Sequence, residues 1–130
     1  MVVFGHRFID SENFYHISDE DAILKTPPSS TIYLEFSEKN VDLIKHLNDN
    51  HIKSAIYIES ITELIYISNL KASYAIVNKD IAKTLQNIAE TYLLDTKILV
   101  KIKDEDEIES IARLGIDGVI FSRAIVKVNS

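Results

Sequence analysis

Two charged residues interrupt strand-like apolar runs in this chain, each one residue before the run ends. They are Glu35 in Ile32-Tyr33-Leu34-Glu35-Phe36 and Lys101 in Ile98-Leu99-Val100-Lys101-Ile102. A charge inside a buried strand is costly unless it is paired or reaches water. On a common face, this carboxylate and ammonium could pair with each other or flank a ligand. Strand ends open to water would instead solvate both heads. A partly buried lysine has the chemistry of a base or a Schiff-base former, but no other residue in the sequence supports such a reaction.

Further polar residues stand where apolar runs end: Glu59, Ser60, Asn78, Lys103, Ser122 and Arg123. Glu35 and Glu59 close consecutive runs, and two such carboxylates could do acid–base work or hold magnesium. Glu59 also simply precedes a helix start, where a negative charge is favourable. Ser60 and Asn78 read first as helix caps. With Lys101 and Arg123 as cations and helix N-termini supplying N–H groups, the same strand ends suit an anion. The candidate ligand-binding residues are therefore Glu35, Glu59, Asn78, Lys101, Ser122 and Arg123. No catalytic residue, metal ligand set or cofactor motif is expected. The histidines His6, His16, His46 and His51 do not cluster along the chain.

These residues need a scaffold that gathers strand ends. Five β-rich runs open at Thr31, Ser54, Ser73, Lys97 and Asp117, with helical patterns between them. That alternation predicts βα units and a five-stranded, mainly parallel sheet. The helices carry start and stop signals: Ser60 with Glu63 and Asp104 with Glu107 as capping boxes, and Gly115 as a left-handed C′ residue. The runs are nearly continuous rather than alternating, as in a sheet covered on both faces. Parallel crossovers are right-handed in nearly all cases. If every unit adds on the same side, the sheet is a half-barrel with helices on one face. If the order reverses once, the sheet is doubly wound. The doubly wound arrangement is preferred here, since one chain then hides both faces alone.

The first thirty residues depart from the rhythm. Val2-Val3-Phe4 and Phe14-Tyr15-His16-Ile17 flank the turn-like Asp10-Ser11-Glu12-Asn13, which predicts a short β-hairpin with His6 and His16 facing across it. Ser18 is placed to cap a short helix ending near Lys25. Thr26-Pro27-Pro28-Ser29-Ser30 cannot be helix interior and reads as a connector. The expectation is a single α/β domain over residues 1–130, with 1–30 as hairpin and short helix and 31–130 as βα units. The tail from Ser122 to Val128 fits either a helical turn or an edge strand.

Composition narrows the function classes. The chain has 130 residues, enough for one domain with a real core. There is no cysteine, which excludes disulfides, thiolate zinc sites and cysteine nucleophiles. A net charge of −6 repels phosphate backbones, so nucleic acid is not an expected partner. No apolar run approaches the roughly 18–20 residues of a membrane helix, and the N-terminus MVVFGHRFID lacks the features of a signal peptide. The cytoplasm is the default expectation, with no membrane partner.

The stretch from Lys97 to Ile125, KILVKIKDEDEIESIARLGIDGVIFSRAI, resembles the closing units of (β/α)8 barrels. Indole-glycerol-phosphate synthases, glycerophosphodiester phosphodiesterases and EAL-type cyclic-di-GMP phosphodiesterases are similar there. The resemblance implies strand, acidic cap, helix and strand in that order. It does not carry catalytic residues over. An EAL-type enzyme would have an acid at the place of Lys101, and a lysine–aspartate pair near Val77 and Asn78. Gly5-His6-Arg7 is similar to the opening of glycerophosphodiesterases, but Phe8 stands where their glycine follows. The reading is therefore a small binding or interaction module that associates with itself or with a protein partner, rather than an enzyme. The alternative is a site for an anionic or phosphorylated small molecule at the strand ends, on a degenerate barrel-type enzyme or otherwise.

Overall fold

The computed structural model describes residues 1–128. Its elements run β1 (Val2–Phe4), β2 (Phe14–Ile17), a 3₁₀ turn (Glu20–Lys25), β3 (Thr31–Glu35), α1 (Val41–Asp49), β4 (Ser54–Tyr57) and α2 (Ile61–Asn69). Then come β5 (Tyr74–Val77), α3 (Lys79–Thr91), β6 (Lys97–Ile102), α4 (Ile108–Arg113), β7 (Gly118–Phe121), a 3₁₀ turn (Ser122–Ala124) and β8 (Ile125–Val128). The sheet has eight strands, not five, in the order β1-β7-β6-β5-β4-β3-β2-β8. Every ladder is parallel. The tail holds both of its alternatives in succession, a short turn and then a strand.

The five expected strands lie side by side in chain order, β3 to β7, and the order never reverses. The doubly wound arrangement is therefore overturned in favour of the half-barrel. Right-handed crossovers added on one side leave the helices on the convex face. There Ile32, Leu34, Ile56 and Val100 of the strands pack with Ile44, Leu64 and Leu85 of the helices. The alternate residues Tyr33, Ala55, Ile76, Leu99 and Ile120 form a second core on the concave face.

The N-terminal hairpin is not formed. β1 pairs with β7, while β2 pairs with β3 and β8. The physical reason is at the sheet's ends. A five-stranded sheet leaves two rows of unpaired backbone groups. A hairpin could cover one of them; two separated strands cover both.

Those strands also carry the concave core. β1 and β2 are six places apart in the sheet, roughly 29 Å if it were flat. Yet the rings of Phe4 and Phe14 lie 5.0 Å apart, and both meet Tyr74 of β5, at 5.6 and 5.3 Å. The sheet curls until its ends share one aromatic cluster. Beyond β1, Gly5 has φ +92°, and a Cβ there would lie 2.8 Å from Ala124 Cβ. Glycine is thus required where the chain leaving β1 crosses the turn between β7 and β8.

Each helix ends in the same way. His51, Lys71, Leu93 and Gly115 all take positive φ, at 57°, 68°, 51° and 75°. The following N–H reaches back into the helix in three of them, from Ile52 to Leu47, Ala72 to Ile67 and Leu94 to Ala89, at 2.9–3.0 Å. Glycine answers this conformation only after α4. Leu93 is also 86% exposed, so its side chain gains little from burial. Leu93→Gly is expected to stabilise the protein by about 1 kcal/mol, since it removes a left-handed cost borne by a side chain. Urea denaturation of the two proteins measures this difference.

Candidate functional site

The two-residue period of the strands decides which side chains reach the concave mouth at their carboxyl ends. In β3, Tyr33 lies in the concave core, so Glu35 follows it on the same face and emerges at the rim, exposed. In β6, Leu99 leads to Lys101, also exposed. In β4, Ala55 leads to Tyr57, and beyond β5, Ile76 leads to Asn78. The end strands contribute as well: Phe14 leads to His16 in β2, and Ile125 leads to Lys127 in β8. The mouth is thus lined by His16, Glu35, Tyr57, Asn78, Lys101 and Lys127, over a floor that includes Tyr33.

Neighbour relations bind these residues into one group. Glu35 stands opposite Tyr57 in the ladder, and His16 stands between Tyr33 and Lys127. The His16 ring meets the Tyr33 ring edge-on at 4.9 Å. The Asn78 side-chain N–H donates to the Tyr57 hydroxyl at 2.8 Å. Because Tyr57 oxygen accepts there, its own proton is left to donate elsewhere. The Lys101 ammonium lies 5.7 Å from the centre of the Tyr57 ring, within the range of a cation–π contact. Glu35 and Lys101 make no ion pair with each other among the described residues; both heads reach water.

The electrostatics are shared too. Burial pushes the His16 imidazole below its ordinary pKa, Glu35 pulls it upward, and Lys127 and Lys101 push it down further. The ring is therefore neutral at pH 7. Burial raises the Tyr33 phenol far above its usual range, and Glu35 and Tyr57 add to that. Two lysines and one carboxylate stand among these six residues, in a chain whose net charge is −6.

Of the residues singled out from sequence, Glu35, Asn78 and Lys101 share this mouth. Asn78 was expected to cap α3, but its side chain makes no cap bond and turns to Tyr57 instead. Ser60 does cap, accepting from Glu63 N–H at 3.1 Å. Glu59 uses its N–H to meet the Glu63 carboxylate at 2.8 Å, at the start of α2. Ser122 donates to Ile102 carbonyl at 3.1 Å. Arg123 donates from Nε to Gly5 carbonyl at 2.9 Å and stacks on Phe121 at 4.3 Å. Both therefore have structural partners across the strand ends. His16, Tyr57 and Lys127 were missed as site residues. Once β2 and β8 are known to be parallel strands, the spacing from Phe14 and Ile125 points to His16 and Lys127.

His6 does not face His16. Its Nδ1 accepts from Phe8 N–H at 3.1 Å, so Nε2 carries the proton and donates to Glu105 at 2.7 Å. This hydrogen bond, with the charges of Arg7 and Arg123, holds the Glu105 carboxyl below its ordinary range. The pair fastens the loop after β1 to the turn after β6. Among the described residues, no group of three His, Asp or Glu side chains is placed to hold a metal ion.

Compared with known proteins, the chain matches no family model and no curated protein.

The His16 shift has a definite sign. Its folded pKa lies below the unfolded value, so its contribution is complete above about pH 6.5 and is lost as pH falls through the folded pKa. Between pH 7.5 and 5, the wild-type protein should lose more stability than His16→Gln. Urea melts of both proteins across that range provide the comparison.

Proposed function

We propose that this protein is a binding module that takes a small anionic ligand, a carboxylate or phosphate group, in the polar mouth of its half-barrel. The observation that supports this reading best is the convergence of Lys101, Lys127 and the Tyr57–Asn78 pair on one mouth. Lys101 and Lys127 supply charge from β6 and β8, on opposite arms of the curled sheet. Tyr57, its oxygen already accepting from Asn78, presents a directed O–H. Glu35 limits the charge of the ligand and can accept from a hydroxyl on it. The neutral His16 adds a ring nitrogen without adding charge. Ligands of open α/β sheets and barrels collect at the carboxyl ends of strands, and this cluster stands there.

The reading names no reaction. A nucleophile with its own base, the minimum for covalent chemistry, has no counterpart in the group. Lys101 stands exposed beside the Tyr57 ring.

A thermal-shift series over inorganic phosphate, sulfate, sugar phosphates and nucleotides tests it, because a ligand of the native state raises the melting temperature. At least one anion should stabilise the wild-type protein. Lys101→Ala and Lys127→Ala should each abolish most of that shift, and Tyr57→Phe should reduce it. A shift that survives both lysine substitutions would place the anion elsewhere and end this reading.

The alternative of a protein-contact module has one observation in its favour. Phe36, Val41, Ile65 and Leu70 line an apolar groove between α1 and α2, with Tyr66 standing 54% exposed beside it. If this groove joins two copies of the chain, light scattering coupled to size exclusion gives a dimer mass for the wild type and a monomer mass for Tyr66→Ser. A monomeric wild type removes self-association through this groove.

A further inference from the structure

His16 stands in the mouth for a reason that its neutral state at pH 7 leaves unexplained. A buried apolar residue would fill the same space on the Phe14 side of β2 at less cost in desolvation. The position is instead surrounded by groups that respond to charge. Lys127 is its ladder neighbour on β8, and Tyr33 is its ladder neighbour on β3. Glu35 follows two residues after Tyr33 on the same face, and Lys101 of β6, its ammonium 5.7 Å from the centre of the Tyr57 ring, acts on the histidine through its charge. Among the described residues, those are the titratable groups facing the ring from the strands around it. Two of them are cations that oppose its protonation, and one is an anion that favours it.

We propose that His16 is a proton switch for the mouth: the ring takes up a proton when an anion settles beside it between Lys101 and Lys127. The inference rests on the anion-binding reading given above. A bound anion neutralises the field of the two lysines and adds a negative charge of its own beside the ring. Both changes favour the imidazolium. The proton comes from solvent and goes to a ring nitrogen; no covalent bond is made or broken in the ligand. Linkage is reciprocal, so the same coupling makes anion binding tighten as pH falls. The mouth would then hold its ligand more firmly in an acidified environment and release it near neutrality. Glu35 sets the range, since its carboxylate already offsets part of the lysine field.

Sulfate is the suitable probe, because its charge does not change between pH 5 and 8. Isothermal titration calorimetry at pH 6.5, in two buffers of different ionisation enthalpy, should show a fraction of a proton taken up per sulfate bound. Affinity at pH 5.5 should exceed that at pH 7.5 by roughly three- to tenfold, the size expected when one histidine is coupled to one charged ligand. His16→Gln should bind sulfate with no proton uptake and little pH dependence. An NMR titration of the His16 ring in the wild-type protein, with and without sulfate, reads the same coupling directly and needs no variant to fold. Its midpoint should rise when sulfate is present. If sulfate binding is lost in Lys101→Ala and Lys127→Ala but brings no proton uptake and no shift of the His16 midpoint, the switch is wrong and the site stands. If sulfate fails to bind, or binds regardless of both lysines, the anion site itself is wrong and the switch falls with it.

Discussion

Among the described residues no α-helix covers the concave face of the sheet, and Phe4, Phe14 and Tyr74 close it instead. Their rings lie 5.0–5.6 Å from one another although they come from opposite ends and the middle of the sheet. Phe14 is wholly buried. A half-barrel built of βα units on one side has an apolar inner surface that must leave water. In a chain of this length the least costly cover is the sheet itself, curled until its own side chains meet. The N-terminal strands make that possible. They satisfy the raw edges of β3 and β7 and deliver two phenylalanines to the centre.

Closure by aromatics has a consequence for the mouth above them. In six of the strands, β2, β3, β4, β5, β6 and β8, the inward-facing series continues by two residues past the aromatic floor. The next residues, at the rim, are polar: Glu35, Tyr57, Asn78, Lys101, His16 and Lys127. Their gathering follows from curvature. In a flat sheet His16 and Lys101 would stand four strand spacings apart, roughly 19 Å, beyond the screening length at physiological salt. In the curled sheet they act on one another.

The mouth is held together by contacts that contain little of the binding chemistry. Arg123 ties the turn before β8 to Gly5, and Glu105 ties the turn after β6 to His6. These links join the chain after β1 to the chain after β6 and β7, its neighbours at one end of the sheet. They explain why two arginine and histidine residues that look functional in sequence are engaged with backbone and carboxylate partners. Exposed charge at a strand end is not by itself a site; the partner of each group decides.

Much of the architecture was legible in the residues alone. The βα rhythm from Thr31 onward, the Ser60–Glu63 cap, the left-handed Gly115 and the parallel direction of the strands all rest on local preference and short-range spacing, which a sequence records directly. So did the placing of Glu35 and Lys101 near the ends of their strands, but not the face of the sheet on which either stands. The strand count, the lack of a hairpin and the choice of a half-barrel did not. Val2–Phe4 and Phe14–Ile17 are equally good strands in either arrangement; which edge each one meets depends on backbone groups more than a hundred residues away in the chain for β1 and β7. Nor could the turn of Asn78 away from its helix toward Tyr57 be read, because capping satisfies the same amide locally. Sequence determined what each segment prefers to be. Only the tertiary structure decided which segments are neighbours, because curvature and edge pairing are properties of the whole sheet.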